Sequence, residues 1–333
     1  MTGPSADVPD DVLERAHALS RAGAWSDVVG MLEPMATLAG EAGEIRVLYA
    51  ESLMRVGRER AACEWLRGIM PSLRAQGDRV NHRRALNLLG VGSFFLGDLD
   101  EASSALDAAL DLATQDEDLL LFARATNNLG MIANIRGEHD AALGHYQRAV
   151  PAYQRLGQRR GLAESYHNIA ITYRDLGALE QADEYERRAM DYAAAGVAPR
   201  VAAMGLIGRA EVALRRGDPQ FARGTAQRAA AELQDLEDPM NEADALRLVG
   251  AAATAMGRFA DADVAFGRAL SIARERGHAL IEAETLRDRA RGLHTRGAYP
   301  EALRDAEEAM TLFERLGATS EIEALRALVE ALG

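Results

Sequence analysis

The stretch RALNLLGVGSFFLG, residues 84–97, decides the fold of this chain. Leu86, Leu89, Gly90 and Ser93 recur at helical spacing, so they predict one packing stripe on a helix. Gly97 is expected to end that helix, because glycine readily takes the left-handed conformation of a helix C-terminus. The stretch therefore reads as one helix followed by a tight turn.

This turn glycine recurs at a constant spacing along most of the chain. The glycines of the series are Gly57, Gly97, Gly137, Gly177, Gly217, Gly257 and Gly297. An alanine stands five positions after each of them, at Ala62, Ala102, Ala142, Ala182, Ala222, Ala262 and Ala302. A fixed period of this size indicates a repeat protein.

A second helix follows each turn glycine. Asp98 can cap it, and Glu101 three positions later completes a capping-box pattern. Small residues seven positions before the turn, such as Gly90, keep the paired helices close, since larger side chains would push them apart. Leu106, Tyr146 and Phe266 are then expected to fill the space between hairpins. Each repeat is predicted to be an antiparallel helical hairpin.

The spacing resembles that of the tetratricopeptide repeat. The fourth copy carries it in Leu129, Gly130, Gly137, Ala142, Tyr146 and Ala149, and the seventh in Val249, Gly250, Gly257, Phe259, Ala262, Phe266 and Ala269. The resemblance covers about residues 8 to 333, although the first copy is weaker and stands closer to the second than the later copies stand to one another. It implies an all-α fold, a right-handed α-solenoid of about eight hairpins forming a single superhelix over residues 1–333. The expected hairpins are 8–40, 43–76, 83–115, 123–156, 163–195, 201–235, 243–276 and 283–316, with a capping helix at 320–332.

Most copies are longer than the usual form of this repeat by six positions. The surplus is expected between hairpins, in stretches such as 156–161 and 235–239. Units of this length resemble those of polarity adaptors that bind extended peptides and of the sensor halves of MalT-type regulators.

Composition narrows the class of function. The net charge of −13 argues against a nucleic-acid partner, which would need a basic face. There is no apolar run near the roughly 18 residues of a membrane span, and no signal segment at the start. The single cysteine, Cys63, allows no internal disulfide, which fits a cytoplasmic location. Every basic residue is arginine, which fits a GC-rich genome, and selection against lysine is the alternative explanation.

Motifs of catalysis, cofactor binding and metal binding are missing from the sequence. Gly90-Val91-Gly92 lies in mid-helix rather than after a strand, so it is a poor dinucleotide site. His139 and His145 are six positions apart, off the spacing for shared metal ligation on a helix. We therefore expect no enzyme activity, no cofactor and no metal.

Function is expected in the concave groove. In the family that the chain resembles, the first helix of each hairpin lines this groove at positions 13, 10, 9, 6, 3 and 2 before the turn glycine. Nine residues at such positions are the predicted peptide-binding set: Arg84, Asn87, Arg124, Asn127, Asn128, Asn134, His167, Asn168 and Arg174. Farther along, Asp244, Arg247, Glu284, Arg287, Asp288, Arg291 and His294 form a mixed lining whose opposite charges are expected to neutralise one another.

The asparagines suggest how a ligand is held. Asparagine is a poor helix former, yet its amide can donate and accept at once, which suits the backbone of an extended peptide. The arginines and His167 suggest an acidic ligand or a free carboxylate. The same side chains could instead bridge neighbouring helices or face solvent.

The leading hypothesis is a non-catalytic scaffold that binds a peptide or partner segment. The alternative is a peptide or small-molecule sensor acting with a separately encoded regulator. The sequence leaves the oligomeric state and the partner open.

Overall fold

The structure, a computed structural model, describes residues 10–36, 42–194 and 197–332. The described chain divides into two compact units, unit 1 within residues 1–125 and unit 2 within residues 126–333. Helix α7 (Leu119–Ile135) contains the boundary. The helices of unit 1 are α1 (Asp10–Arg21), α2 (Trp25–Ala36), α3 (Gly43–Arg55), α4 (Glu59–Ala75), α5 (Arg79–Phe95) and α6 (Leu99–Gln115).

Unit 2 continues the same alternation of first and second helices. Its helices are α8 (His139–Arg155), α9 (Arg159–Asp175), α10 (Leu179–Ala193), α11 (Pro199–Arg215), α12 (Pro219–Asp235), α13 (Pro239–Ala255), α14 (Phe259–Arg276), α15 (Ala279–Thr295), α16 (Tyr299–Leu316) and α17 (Thr319–Leu332). The described residues contain helices and no strand, and within each unit helices adjacent in sequence pack against one another. The predicted all-α solenoid of hairpins with a final lone helix is confirmed. The predicted hairpin limits at residues 8, 40 and 195 lie outside the described residues.

The turn glycines adopt the predicted conformation. All seven members of the glycine series have φ between 72° and 83°, the left-handed region. Asp98 also caps α6, because its carboxylate accepts the Glu101 backbone N–H at 3.0 Å. The repeat is thus set by local backbone chemistry.

The surplus residues do not lie between the hairpins, contrary to the expectation. Helix α8 ends at Arg155 and α9 begins at Arg159, while α12 ends at Asp235 and α13 begins at Pro239. Only three residues remain for each of these turns, and the extra residues extend the helices, most of which have 17 residues. Asp238 explains one early start, since its carboxylate accepts the Asn241 backbone N–H at 3.3 Å and Pro239 occupies the first helical position.

The large residues of the second helices pack against small residues of their own hairpins, and Tyr146 is also hydrogen-bonded to Thr172 of the next hairpin. A β-carbon added to Gly130 would lie 2.5 Å from the Tyr146 ring, and one added to Gly250 would lie 2.7 Å from the Phe266 ring. Both rings are almost fully buried. Each glycine therefore makes room for a large side chain of the paired helix.

No helix in the described residues combines the length and the apolar character that crossing a membrane requires.

Candidate functional site

Polar side chains of unit 2 gather on the layer formed by its first helices. Within unit 2, α9 contacts α11, α11 contacts α13, α13 contacts α15 and α15 contacts α17. Residues 126–135 of α7 join them through a hydrogen bond between Asn127 and Ser165 of α9. We call these helices and this part of α7 the first-helix layer.

Asn127 and Asn168 meet between α7 and α9. Asn127 Oδ1 accepts a hydrogen bond from Ser165 Oγ at 2.9 Å and a longer one from Asn168 Nδ2 at 3.4 Å. Ser165 is fully buried, and the two asparagines keep 5% and 7% of their surface exposed. Buried amides need such partners, because an unsatisfied buried polar group costs about 1–3 kcal/mol. Ser165 is a member of this group that the sequence patterns did not single out.

Asn128 differs from its neighbour. It is partly exposed, and its side chain forms no hydrogen bond within the described chain. It occupies the same repeat position on α7 that Asn168 occupies on α9, nine positions before the turn glycine. Its amide can both donate and accept, so both of its hydrogen-bonding ends are available to a ligand.

Asn134 connects α7 to the charged part of the layer. Its Nδ2 donates to Asp175 Oδ2 at 3.0 Å, and its Oδ1 lies 3.1 Å from His139 Nδ1. Asp175 in turn pairs with Arg174 at 3.1 Å and with Arg215 at 3.5 Å. Asp175 thus contacts both Asn134 and Arg174, two residues predicted for the same surface.

His167 lies beneath the layer rather than on its surface. It is 4% exposed, and its Nδ1 lies 3.0 Å from both carboxylate oxygens of Glu186, which is 1% exposed. Burial lowers the pKa of His167, but the adjacent carboxylate outweighs burial and the net shift is upward. Gly208 on α11 provides the space for this pair, because a β-carbon there would overlap Glu186 Oε1.

Glu186 was missed at the sequence level, although a signal existed. It stands nine positions after its turn glycine, where other copies carry Leu106, Tyr146 and Phe266. A carboxylate at a position that is apolar in the other copies indicates a buried partner of opposite charge. His167 is that partner.

Arg174 is enclosed by carboxylates. Its guanidinium lies 3.0 Å from Glu211 and 3.1 Å from Asp175, and its side chain is 13% exposed. Burial alone would raise the pKa of the Glu211 carboxyl, but the positive charges of Arg174 and Arg247 outweigh burial and lower this pKa to about 2. Glu211 therefore stays ionised and holds two arginines from different helices.

Arg247 on α13 is the centre of the charged part of the layer. Its guanidinium pairs with Asp288 at 2.6 Å, Asp244 at 2.7 Å and Glu211 at 3.3 Å. Asp288 then pairs with Arg287 at 2.9 Å, and Arg287 pairs with Glu321 of α17 at 2.9 Å. These contacts confirm that the opposite charges of the C-terminal lining pair with one another.

Glu284 is held less firmly than the other carboxylates of this network. It lies 3.8 Å from Arg247 Nε, and its side chain forms no hydrogen bond in the part of the chain that the structure describes. Burial raises its pKa to about 7 against the opposing effect of Arg247 and Arg287. Glu284 is therefore the carboxylate of the layer that titrates near neutral pH.

Three residues of the predicted set belong to unit 1. Arg84 Nη1 donates to Asn81 at 3.4 Å, and its Nη2 lies 3.9 Å from Glu51. Asn87 has a buried Oδ1 without a partner among the described residues, and Arg124 is exposed. Their role in ligand binding stays a prediction.

The described residues offer no group of three or more His, Cys, Asp or Glu side chains arranged to hold a metal ion. The chemistry of the first-helix layer is hydrogen bonding by amides at α7 and α9 and paired charges from α9 to α17.

Comparison with known proteins agrees with the fold. Residues 121–195 match the family model of the tetratricopeptide repeat. A Rap protein complexed with competence and sporulation factor is 13% identical, with 96% of each chain covered and a TM-score of 0.63. The Rap conjugation gene regulator of plasmid pLS20, in complex with the Phr* peptide, is 15% identical, with 97% of each chain covered and a TM-score of 0.60. Aspartyl phosphate phosphatase F from Bacillus subtilis is 12% identical, covering 100% of this chain and 96% of its own, with a TM-score of 0.54.

At these identities the structural likeness concerns the fold. A comparison with curated protein sequences finds no match. The glycine series, the stacked hairpins, the family model and the shared fold agree with one another. The described chain has the fold of a tetratricopeptide-repeat solenoid, and residues 121–195 match that family.

Proposed function

We propose that this protein is a non-catalytic scaffold that binds an extended peptide, or an extended segment of a protein partner, on the first-helix layer of unit 2. The observation that carries the proposal is the pair Asn128 and Asn168, at one repeat position on neighbouring helices. The amide of Asn128 has no partner within the described chain. The solved Rap complexes with peptides support the proposal by analogy of fold.

The spacing of the layer suits an extended ligand. Packed helices lie about 8–10 Å apart, and an extended chain advances about 3.3 Å per residue. A bound segment would therefore pass one repeat in about three residues. Asn128 and Asn168 would then contact backbone groups separated by about three residues of the ligand.

The ligand was also expected to be acidic or to carry a free carboxylate. In unit 2 the residues behind that expectation already face carboxylates of the protein, since Arg174 pairs with Glu211 and Asp175, and His167 pairs with Glu186. An acidic ligand would have to displace one of these partners. We therefore assign the main ligand contacts to the asparagine amides. The peptide sequences that bind in the test will show whether the ligand is charged.

The test begins with a display library of random linear dodecapeptides, selected on the wild-type protein. Binding of the enriched peptide is measured by calorimetry for the wild type and for Asn128→Ala combined with Asn168→Ala. Each lost hydrogen bond is worth about 0.5–1.5 kcal/mol, so the double variant should bind about 5-fold to 150-fold more weakly. Thermal unfolding shows whether it remains folded.

The matched control is Gln181→Ala, which removes an exposed amide from the second helix α10. It should bind the peptide as the wild type does. Wild-type affinity in the double asparagine variant would refute the proposed site, and failure to enrich any peptide would refute the proposed function.

A second candidate function is a sensor that acts with a separately encoded regulator. The Rap gene regulator solved with its peptide favours this alternative, because it combines a similar fold with a bound peptide. A sensor requires that the peptide change the affinity of the protein for a second macromolecule. Pull-down of that second macromolecule with and without the selected peptide separates the two roles. A sensor would bind different amounts of it in the two experiments, whereas a scaffold would bind the same amount.

A further inference from the structure

We propose that Asn127 is a positioning residue that makes Asn168 a hydrogen-bond acceptor towards the ligand. The segment bound over α9 must then offer a free backbone N–H, and proline is excluded at that ligand position. The inference rests on the proposed function above. It implies that Asn128 and Asn168, which share one repeat position, recognise different backbone groups of the ligand.

The geometry begins with Asn127 Oδ1. A carboxamide oxygen has two lone pairs, and both are used here, one by Ser165 Oγ at 2.9 Å and one by Asn168 Nδ2 at 3.4 Å. Asn127 and Ser165 are buried, at 5% and 0% exposure, so water does not compete for these bonds. The direction of the Asn127 amide is therefore set from inside the protein.

This arrangement determines the direction of Asn168. The amide group is planar, with its nitrogen and its oxygen at opposite sides. Because Nδ2 turns inward to Asn127, Oδ1 turns away from it, and Oδ1 accepts no hydrogen bond within the described chain. With only 7% of the residue exposed, Asn168 has little freedom to rotate. Nδ2 retains one further N–H, and Oδ1 is the end of the amide that has no partner among the described residues.

Asn128 lacks such an internal tether. Its side chain forms no hydrogen bond among the described residues and is partly exposed, so it can turn either end of its amide to a ligand. A peptide backbone over α7 can therefore be bound through its C=O, its N–H or both. Over α9 only an N–H satisfies Oδ1 of Asn168.

The consequence for specificity follows from peptide chemistry. Proline and N-methylated residues have no backbone N–H, so they would leave the Asn168 oxygen unpaired when the ligand covers it. Residues whose side chains differ but whose N–H is free would be accepted equally. The site thus selects against a backbone feature rather than for a side chain.

The test uses the peptide obtained in the selection and a series of its variants, each N-methylated at one backbone position. Dissociation constants are measured for the wild type, Asn168→Ala, Asn127→Leu and Asn127→Asp. For one position we expect N-methylation to weaken wild-type binding about tenfold and to leave binding to Asn168→Ala unchanged within about twofold. Thermal unfolding of each variant accompanies the measurements.

The Asn127 variants separate positioning from general packing. Asn127→Leu removes the acceptor, so Asn168 can rotate and the penalty of N-methylation should fall below about threefold. Asn127→Asp keeps an acceptor for Ser165 and Asn168 and should retain most of the penalty. A variant that merely loosened the structure would weaken all peptides equally and would not change this ratio.

The outcomes distinguish this inference from the proposed function. If the double asparagine variant binds weakly but no N-methylated position is coupled to Asn168, the acceptor role is wrong and the scaffold proposal stands. An unchanged penalty in Asn127→Leu refutes the positioning role of Asn127. If the double variant binds like the wild type, the proposed site fails, and if no peptide is obtained, the proposed function fails. In either case this inference fails with it. Wild type and Asn168→Ala both keep Asn127, so their comparison tests the acceptor role of Asn168 independently of the Asn127 variants.

Discussion

At the residue scale, the turns depend on left-handed backbone conformations. Glycine supplies these at the end of most helices, but Glu117 and Glu237 take the same place with φ of 55° and 51°. A residue with a β-carbon is strained there by roughly 1–2 kcal/mol relative to the right-handed region. The turns at Glu117 and Glu237 are therefore strained, in contrast to the turns that end in glycine.

We predict that Glu237→Gly stabilises the protein by roughly 0.5–1 kcal/mol, because the relief of strain exceeds the greater freedom that glycine adds to the unfolded chain. Chemical unfolding followed by circular dichroism measures the change. Glu232→Gly is the control, because it lies inside α12, where glycine should destabilise by about 1 kcal/mol. Equal effects of the two substitutions would contradict the assignment of strain to Glu237.

At the element scale, each hairpin depends on how closely its two helices approach. Gly130 on α7 faces the Tyr146 ring at a separation that leaves no room for a methyl group. Gly144 on α8 is also helical, but nothing would lie within 4 Å of a β-carbon added to it. Within one hairpin, an added methyl group would therefore clash at Gly130 and would be accommodated at Gly144.

We predict that Gly130→Ala destabilises the protein by about 1–3 kcal/mol through overpacking. Gly144→Ala, its control, should stabilise by roughly 0.5–1 kcal/mol, since alanine has the higher helix propensity. Thermal and urea unfolding of both variants give the comparison. A stabilised Gly130→Ala would mean that α7 and α8 can separate freely, against the packing described here.

Hairpin formation could be predicted from the sequence to a large extent, because the signals are local. Glycine, capping aspartates and helical periodicity act within a few residues of each turn. The location of the surplus residues could not be predicted in the same way. A three-residue turn or a longer linker satisfies the same glycine series, and only the packed structure shows that α9 and α13 begin directly after their turns.

At the scale of the whole molecule, polar contacts join helices that are distant in sequence. Contacts of 41 residues separation link Asn127 to Asn168, Asn134 to Asp175 and Arg247 to Asp288. Arg247 and Asp288 form a buried ion pair, and removing one member would leave an uncompensated charge, so this contact holds neighbouring repeats in register. Within this network of unit 2, Glu284 has the weakest pairing.

We predict that Glu284→Gln stabilises the protein above neutral pH. In the folded protein the pKa of Glu284 is raised from 4.5 to about 7, so the folded state binds this proton more tightly than the unfolded state. Its contribution is fully present below pH 4.5 and is lost as the pH rises through 7. Glutamine cannot ionise, so the variant should gain up to about 3 kcal/mol over the wild type by pH 8.

Unfolding free energies measured from pH 4 to pH 8 check this prediction. The gain should be absent near pH 4 and should develop between pH 4.5 and pH 7. Glu323→Gln, an exposed position on α17, serves as the control and should show no such development. A constant difference between Glu284→Gln and the wild type at every pH would contradict titration of the Glu284 carboxylate as its cause.

The candidate site could be predicted only in part. The register of the repeat placed Asn128 and Asn168 at one position, and it identified the charged lining of α13 and α15. It did not reveal that His167 is buried against Glu186, or that Asn127 Oδ1 accepts a hydrogen bond from Asn168 Nδ2. Those facts depend on which side chain lies opposite which, and helical period alone does not contain that information.

The sequence by itself determined the repeat, the helical hairpins and the turns, because glycine conformation, helix capping and small-residue packing are dictated over a few residues. Tertiary structure alone decided the partners of the polar side chains. Those partners lie on other helices, 19 residues away for His167 and Glu186 and 41 residues away for Asn127 and Asn168. Burial then makes each pairing obligatory, because a buried polar group without its partner is costly.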